Sequence, residues 1–351
     1  MTLDRSANQN PVPDNIRTNI IKGLWQWNTT LIPQTAEETW DTYFHYYASK
    51  CKTWIEYGHG EYTFVRKDKD ITAIAKKLED GTSKAEIKRW LLLKNTQERL
   101  EDVKERMAEG SVRLVVRLTT MVDIGYLPGT NAHISLPWDS EQTDLKTLLA
   151  TYFKGSSTDS EKIKFETEMT AFNITRYTGL KIRWTDNLAD HLRLIENDKE
   201  LCIFHHITFL KRQIDSPIFP AYLAKETLQT LALLFPRYDR DTEKWLKPKL
   251  STSGDAARLD KELLSCDRVM PEDRRAEKFK FWREELITLK EKFDTPRPTS
   301  IVQFWYDRRN KVQWYTFWIA VLVLVLTVFF GLVQSLEGAL QVYKAYHPMA
   351  S

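Results

Sequence analysis

The sequence lacks the residue patterns on which most catalytic and metal-binding motifs depend. Its three cysteines, Cys51, Cys202 and Cys266, lie far apart in 351 residues. They therefore form neither a C-x-x-C motif nor a disulfide framework, and a reducing compartment is expected. A glycine-rich phosphate loop, a G-x-S-x-G motif and an H-E-x-x-H motif are also missing from the sequence. We predict no catalytic residue and no cofactor, and the sequence favours a protein that is not an enzyme.

An excess of charge of one sign is missing too. The 51 Lys and Arg residues nearly balance the 48 Asp and Glu residues, which leaves a net charge of +3. Nucleic-acid binding usually needs a strongly basic surface, so we predict no nucleic-acid partner. Residues 1–15 contain no apolar segment of the kind that signal peptides carry, and their polar, proline-containing composition predicts disorder.

One stretch, residues 312–336, carries no charged side chain. At about 1.5 Å per helical residue it reaches about 37 Å, which exceeds the hydrocarbon core of about 30 Å. Each of its Phe, Ile, Leu and Val residues contributes about −0.3 to −0.6 kcal/mol to membrane insertion. We predict one transmembrane helix, in contact with the lipid bilayer and joined to a body at 16–294 by a proline-containing basic linker at 295–311.

The residues that flank this stretch predict its orientation. Cations precede it, whereas the segment after it offers only Lys344 and the acidic Glu337. The positive-inside rule therefore leaves the body in the cytosol and the segment 337–351 on the other side, and we expect a tail-anchored protein whose membrane is unknown. The interfacial residues that carry this prediction are Arg308, Arg309, Lys311, Trp314 and Trp318.

Small residues recur at four-residue steps within and after the predicted span. Such a small-xxx-small face lets the backbones of two membrane helices approach closely. We predict homo-oligomerisation, or packing against another protein's membrane helix, through Thr327, Gly331, Ser335 and Ala339.

The body is predicted to be α+β and mainly helical. Helical periodicity marks residues 70–78, and Ser83 with Glu86 forms a capping-box pattern that opens a helix toward Met107. The β-branched residues 112–118 favour a strand, although a helix competes. The many Trp, Tyr and Phe residues between positions 25 and 54 are predicted to pack the core.

The segment 140–206 combines two predicted helices with a predicted β-hairpin. The helices start at Asp139 or Ser140 and cover 161–177, and strands follow at 180–184, 191–195 and 201–206. This is the element order of a winged-helix module. The second helix carries as many acidic as basic residues, so such a module would contact protein rather than DNA.

A weak metal-site pattern lies on the predicted hairpin. Cys202 and His206 would face one side of a strand and His205 the other, and His191 on the facing strand could complete a Cys-His-His site. The alternative is that these histidines are buried structural residues. Asp186 and Asp190 could pair as carboxylates, or Asp186 and the residue after it could cap a turn.

The C-terminal part of the body contains two more predicted helices. One runs from Pro220 to Pro236, and residues 247–255 follow as a loop. A last helix begins near Pro271 and places five apolar residues at alternating steps of three and four, which is the spacing of a short coiled coil. This seam predicts either docking onto the body or self-association: Phe279, Trp282, Leu286, Leu289 and Phe293.

Four segments of the chain resemble a known family. They are ADHLRL…LCIFHHITFLKRQ (189–213), KETLQTLALLFP (225–236), FWYDRRNKVQWYTFW (304–318) and FGLVQSLEGALQVYKAYHP (330–348). Together they look like a family of uncharacterised single-pass membrane proteins of filamentous fungi. The resemblance covers about residues 180–348 and implies an architecture and a fungal source, with no activity attached. Some of its members invite comparison with CorA-type magnesium channels, but this sequence lacks the Gly-Met-Asn loop and a second apolar segment.

These observations lead to three hypotheses of function. The first is a membrane-tethered interaction or scaffold protein that binds an unidentified protein partner or itself. The alternative is a membrane-associated enzyme or accessory protein of fungal specialised metabolism. The third is the remnant of an oligomeric channel.

Overall fold

The computed structural model describes residues 12, 14–25, 40–56, 61–96, 98–125, 134–156, 163–251, 258–294 and 311–346. The chain divides into two compact units. The first comprises residues 1–175 and 180–295, and the second comprises residues 176–179 and 296–351. The predicted α+β, mainly helical class is confirmed, with a small sheet in the first unit and one long apolar helix at the C-terminal end.

The described residues before that long helix form eleven α-helices and three short strands. The helices are α1 (Asp14–Trp25), α2 (Asp41–Glu56), α3 (Asp68–Glu79), α4 (Lys84–Lys94), α5 (Glu101–Thr120), α6 (Leu145–Tyr152), α7 (Ala171–Thr178), α8 (Ile207–Gln213), α9 (Leu223–Leu234), α10 (Arg240–Ser251) and α11 (Arg283–Asp294). The strands are β1 (Lys181–Thr185), β2 (Leu194–Ile195) and β3 (Glu200–Phe204). Most of the stretch 1–15, for which we predicted disorder, lies outside the described residues, but α1 already begins at Asp14.

The helix α3 contains the predicted residues 70–78 and begins two residues before them, and α4 begins where the sequence predicts but ends earlier. The predicted capping box is present, because the Ser83 hydroxyl accepts the N–H of Glu86 while the Glu86 carboxylate accepts the N–H of Ser83. The predicted continuation to Met107 is wrong. The backbone becomes extended at Asn95, where the backbone N–H and the side-chain amide both donate to the Leu91 carbonyl and close the helix.

The helix α5 replaces the strand favoured at 112–118. Almost all of its residues from Met107 onward are buried, so the sequence there shows no apolar stripe of helical period. The Ser111 hydroxyl accepts the N–H of Phe64 at 2.8 Å and donates to the Met107 carbonyl at 2.7 Å. These bonds fix the segment before α3 against the central helix.

The predicted aromatic core is confirmed. The Tyr43 hydroxyl donates to the Leu118 carbonyl at 2.7 Å, and the Tyr46 hydroxyl donates to the Arg117 carbonyl at 3.1 Å. The Tyr43 ring also stacks on Phe209 with a centroid distance of 6.0 Å. Each buried phenol therefore keeps a polar partner while its ring packs in the core. Trp25, Trp40, Phe44, Tyr47 and Trp54 are buried as well, and Trp27 lies outside the described residues.

The two helices predicted in the middle of the chain are shorter than expected. The side chain of Asp144, not that of Asp139 or Ser140, caps α6 by accepting the N–H of Thr147. The helix predicted over 161–177 begins only with α7, since residues before it bond to a distant segment, as in the N–H of Phe165 to the Arg274 carbonyl at 2.8 Å. The two helices on which the winged-helix interpretation depends are therefore much shorter than that interpretation requires.

The strands form one sheet in the order β1-β3-β2. The predicted hairpin is confirmed, because β2 and β3 pair antiparallel. Three of the four residues of its turn, Glu196, Asn197 and Asp198, have positive φ, with values of 53°, 54° and 60°. The strand β1 adds to the other edge of β3 in parallel, with Thr185 opposite Phe204. The C-terminal ends of β1 and β3 consequently lie side by side.

The C-terminal helices of the first unit confirm one prediction and correct two. The helix α9 ends before Pro236, as predicted. The loop predicted at 247–255 is wrong for its residues up to Ser251, which belong to α10. Burial of Thr242 and Leu246 anchors this helix even with Pro248 inside it. The helix predicted from Pro271 begins only at α11. The five residues of the predicted seam are nevertheless buried in the first unit, as the docking interpretation requires.

In the second unit, the helix α12 (Lys311–Tyr346) has 36 residues. Its portion Tyr315–Tyr343, 29 residues long, is long and apolar enough to span a membrane, and its side chains are not buried. The predicted span 312–336 lies within this helix, which continues into the predicted tail as far as Tyr346. The residues of the linker before Lys311 lie outside the described residues.

Candidate functional site

The parallel pairing of β1 and β3 brings three polar residues to one edge of the sheet. Asp186 follows the last residue of β1, and His205 and His206 follow the last residue of β3. Since Thr185 and Phe204 are paired, the residues that come next start from neighbouring positions. The carboxyl ends of parallel strands are a common location of ligand sites.

The three side chains form a compact cluster. The Nε2 atom of His206 lies 2.7 Å from the Oδ1 atom of Asp186, and the Nε2 atom of His205 lies 3.4 Å from the same oxygen. The two imidazole rings stack with a centroid distance of 4.1 Å and an interplanar angle of 26°. One ligand atom from each residue lies within 4.8 Å of the others. A single ion could therefore contact all three.

The histidines of this cluster are buried with unsatisfied nitrogens. His205 is 0% exposed and His206 is 1% exposed. Among the described residues, neither ring nitrogen of His205 and not the Nδ1 atom of His206 has a hydrogen-bond partner. The 3.4 Å contact of His205 with Asp186 is an electrostatic contact that is not aligned for a hydrogen bond. Each buried polar atom without a partner costs about 1–3 kcal/mol.

The charges of the cluster are shifted by this burial. Desolvation raises the pKa of Asp186, but the interactions with His205 and His206 outweigh it and hold that pKa well below its ordinary value. Burial, together with the neighbouring His205, lowers the pKa of His206 to about 4 although Asp186 opposes the shift. At neutral pH the cluster therefore offers an ionised carboxylate and a neutral imidazole on His206, the forms in which these residues bind metals.

Aromatic rings and a helix start hold the cluster in place. The Trp184 ring meets the ring of His205 edge-on at 6.2 Å, and the Tyr46 ring lies 6.0 Å from that of His206. The helix α8 starts directly after His206, and its second residue, Thr208, donates its N–H to Asp260 at 2.8 Å. The side chain of Asp186 is 38% exposed, so this carboxylate is the side from which the cluster can be reached.

The structure separates the residues of the predicted Cys-His-His site. His191 accepts the N–H of Phe204 through Nδ1 at 3.2 Å and therefore donates through Nε2 to Thr230 at 2.8 Å, so both of its nitrogens are used. Cys202 is buried in the middle of β3, and burial raises the pKa of its thiol to about 11. The group of potential ligands in the described part of the chain joins His206 to His205 and Asp186 instead. The assignment of His206 to the strand is wrong, since β3 ends at Phe204.

The other predicted aspartate roles separate in the same way. Asp190 accepts from the Asn187 amide at 3.0 Å and does not pair with Asp186 in the described contacts. Asn187 caps the short turn Leu188–Asp190, as the turn interpretation predicts. The sequence predicts Asp186 only as a partner of Asp190 or as part of this cap. The missing signal is that its strand ends beside the strand that precedes two histidines.

The predicted membrane residues lie mainly on α12. The Thr327 hydroxyl donates to the Val323 carbonyl at 2.8 Å, so it is satisfied within its own helix. A methyl group added at Gly331 would meet nothing within 4 Å. Ser335, Ala339 and Trp318 also belong to this helix. Arg308, Arg309 and the side chains of Lys311 and Trp314 lie outside the described part of the chain.

Comparisons of the chain with protein-family models, with curated proteins and with solved structures give no match.

Proposed function

We propose that this protein is a single-pass membrane protein whose body is tethered to the bilayer to interact with other proteins or with a second copy of itself. The observation that carries the proposal is the 29-residue portion Tyr315–Tyr343 of α12, which is apolar and unburied. Leu324, Phe330 and Leu332 on this helix are each more than half exposed. A soluble protein rarely exposes an apolar surface of this extent, whereas a bilayer covers it completely.

The proposed orientation places the first unit in the cytosol. It rests on the cations at 308, 309 and 311, which precede the apolar portion, against the single Lys344 near its other end. Protease treatment of sealed membrane vesicles with the cytosolic face outward tests it. We expect the first unit to be digested while a protected fragment retains α12. Protection of the first unit from the protease would mean that the protein has the opposite orientation.

The proposed contact surface on α12 is the small-residue face formed by Thr327, Gly331, Ser335 and Ala339. These residues permit close backbone approach in a membrane. The self-association proposed here rests on this face alone. The other predicted seam, from Phe279 to Phe293, is buried within the first unit and is not available to a partner.

Crosslinking of the full chain in its membrane tests the contact surface. Gly331→Leu fills the small-residue face, and no neighbour in the chain obstructs the new side chain. Val333→Leu is the matched control, because it enlarges a residue about 200° around the same helix. We expect crosslinked dimers, or a crosslinked partner, in the wild type and in Val333→Leu, and a clear reduction in Gly331→Leu. A monomer without any co-purifying protein in all three would sink the proposal.

A second candidate function is an enzyme held at a membrane. The cluster of Asp186, His205 and His206 favours it, because two buried imidazoles beside a partly exposed carboxylate resemble the ligand sets of catalytic metals. The genes that surround this one discriminate between the two candidates. Neighbouring biosynthetic genes would favour the enzyme, and their absence would favour the interaction protein.

A further inference from the structure

We propose that Asp186, His205 and His206 form a binding site for one divalent transition-metal ion, with Zn²⁺ as the ion to be tested. The three potential ligand atoms lie within 4.8 Å of one another at the ends of two parallel strands. This inference does not depend on the membrane function proposed above, because the first unit alone supplies the ligands.

The donor set selects the class of metal ion. Two imidazole nitrogens and one carboxylate oxygen suit Zn²⁺ and other first-row transition metals. Mg²⁺ and Ca²⁺ prefer sites built from oxygen atoms, so they are disfavoured. The carboxylate also supplies one negative charge that offsets part of the charge of the ion.

The distances fit a small ion after modest movement. Metal–nitrogen and metal–oxygen bonds of about 2.0–2.2 Å in a tetrahedron place neighbouring ligand atoms about 3.3 Å apart. The contact of Asp186 with His206 at 2.7 Å is shorter than this, and its contact with His205 at 3.4 Å already matches. The Asp186–His206 pair therefore needs to separate by less than about 1 Å, and the nitrogens of the two histidines, which lie within 4.8 Å of each other, need to approach by no more than about 1.5 Å.

The unsatisfied nitrogens distinguish this site from an ordinary buried ion pair. His205 is 0% exposed, yet in the described part of the chain neither of its ring nitrogens has a hydrogen-bond partner. Buried polar groups in native proteins are almost always satisfied, and each exception calls for a cause. A metal ion bound to Nε2 of both histidines would supply the missing partner of His205 at that atom.

The accessibility of the cluster predicts an open coordination site. Three protein ligands leave the fourth tetrahedral position to water or a substrate, as in catalytic zinc sites. The ion would enter past Asp186, which is the one ligand with a partly exposed side chain, at 38%. The rings of Trp184 and Tyr46 contact the histidines and exclude water from their side.

The test is Zn²⁺ binding by the full chain, purified in detergent and freed of metals with a chelator. Titration calorimetry and elemental analysis after dialysis should give one Zn²⁺ per chain. Asp186→Asn is nearly isosteric and removes the ionised ligand, and His205→Ala removes a second ligand. Since loss of a group that only orients a ligand already costs 10- to 100-fold in affinity, we expect a loss of at least tenfold in each variant.

Two control variants and one control ion sharpen the result. His45→Ala removes a histidine of α2 that is not part of the cluster, and Cys202→Ser removes the cysteine of the site predicted from the sequence. Both should bind Zn²⁺ as the wild type does, and Mg²⁺ in excess should not compete. Loss of binding in Cys202→Ser with normal binding in Asp186→Asn would overturn the proposal in favour of the Cys-His-His site.

Thermal unfolding separates lost binding from lost folding. A ligand that binds the native state raises the Tm, so Zn²⁺ should raise the Tm of the wild type and His45→Ala, and that of Asp186→Asn by clearly less at the same Zn²⁺ concentration. A folded Asp186→Asn that still binds one Zn²⁺ with wild-type affinity refutes the site. A folded wild type that binds no stoichiometric Zn²⁺ refutes it as well.

Discussion

The Glu226 carboxylate of α9 provides the most direct test of what holds the first unit together. It is buried, and it accepts three successive backbone N–H groups, from Lys280 at 2.8 Å, Phe281 at 2.6 Å and Trp282 at 2.8 Å. These donors belong to the segment that leads into α11, so one side chain fixes the approach of that helix to α9. Desolvation raises the pKa of Glu226, and the three N–H donors oppose the rise.

The substitution Glu226→Gln keeps the shape of this side chain but exchanges one acceptor for a donor. The amide nitrogen of Gln then faces at least one N–H, and a buried donor without an acceptor costs about 1–3 kcal/mol. The remaining bonds also lose the strength that the negative charge gives them. Because Gln is neutral, the variant no longer pays the desolvation cost of a buried charge, and this offsets part of the loss. We expect the free energy of unfolding to fall by about 2 kcal/mol.

Denaturant unfolding of the full chain in detergent, followed by tryptophan fluorescence, measures this change. Glu291→Gln is the matched control, because Glu291 lies on α11 and is exposed, where substitutions usually change stability by less than about 0.5 kcal/mol. Equal stability of Glu226→Gln and Glu291→Gln would refute the reasoning, since it would mean that the three N–H groups find other acceptors at no cost.

Three further predictions concern α5, His191 and the start of α4. Gly110→Ala should destabilise the protein by about 1–3 kcal/mol, although alanine is the better helix former, because the new methyl group would lie 1.8 Å from the Tyr62 carbonyl; a rise in stability would contradict this. Burial lowers the pKa of His191 to about 3. Below about pH 6.5 the His191 side chain therefore binds a proton in the unfolded chain but stays neutral in the native state. The free energy of unfolding should fall as the pH drops from about 6.5 toward 3. Measured by urea unfolding between pH 6 and 4, its slope against pH should be smaller in His191→Asn than in the wild type by about 1 kcal/mol per pH unit. Equal slopes would refute the assignment. Ser83→Ala should cost about 1 kcal/mol in the same unfolding assay by removing the cap of α4, and an unchanged midpoint would contradict it.

Local signals in the sequence predicted the elements that local interactions form. The helix α3 follows from its apolar periodicity, and the start of α4 follows from the reciprocal bonds of Ser83 and Glu86. The β2–β3 hairpin follows from two short apolar runs around a polar turn. Each of these depends on residues only a few positions apart, which a sequence displays directly.

The misjudged elements depend on distant contacts. The helix α5 is buried on almost all sides from Met107 onward, so its β-branched residues resembled a strand. The region before α7 is held by backbone bonds to residues about 109 positions away, such as that between Phe165 and Arg274. Neither the burial of a helix nor the partner of an irregular segment can be read from neighbouring residues.

The candidate metal site could be predicted only in part for the same reason. The sequence showed that His205 and His206 are adjacent and that a strand precedes them. It did not show that β1 pairs with β3 in parallel, and this pairing alone brings Asp186 to the histidines. The predicted strand assignment of His206 favours Cys202 as its neighbour, whereas β3 ends at Phe204, before both histidines, and their potential partner is Asp186.

The position of β3 between β1 and β2 has a consequence for the order of folding. The hairpin closes a loop of only a few residues and can form early, because short loops cost little entropy and close quickly. The pairing of β1 with β3 must instead close the longer segment between these two strands, which includes β2. This pairing then fixes Asp186 beside His205. The proposed ligands would therefore be brought together by the later of the two pairings. Binding of Zn²⁺ would then report completion of the sheet, and the ion would stabilise the completed sheet over the hairpin alone.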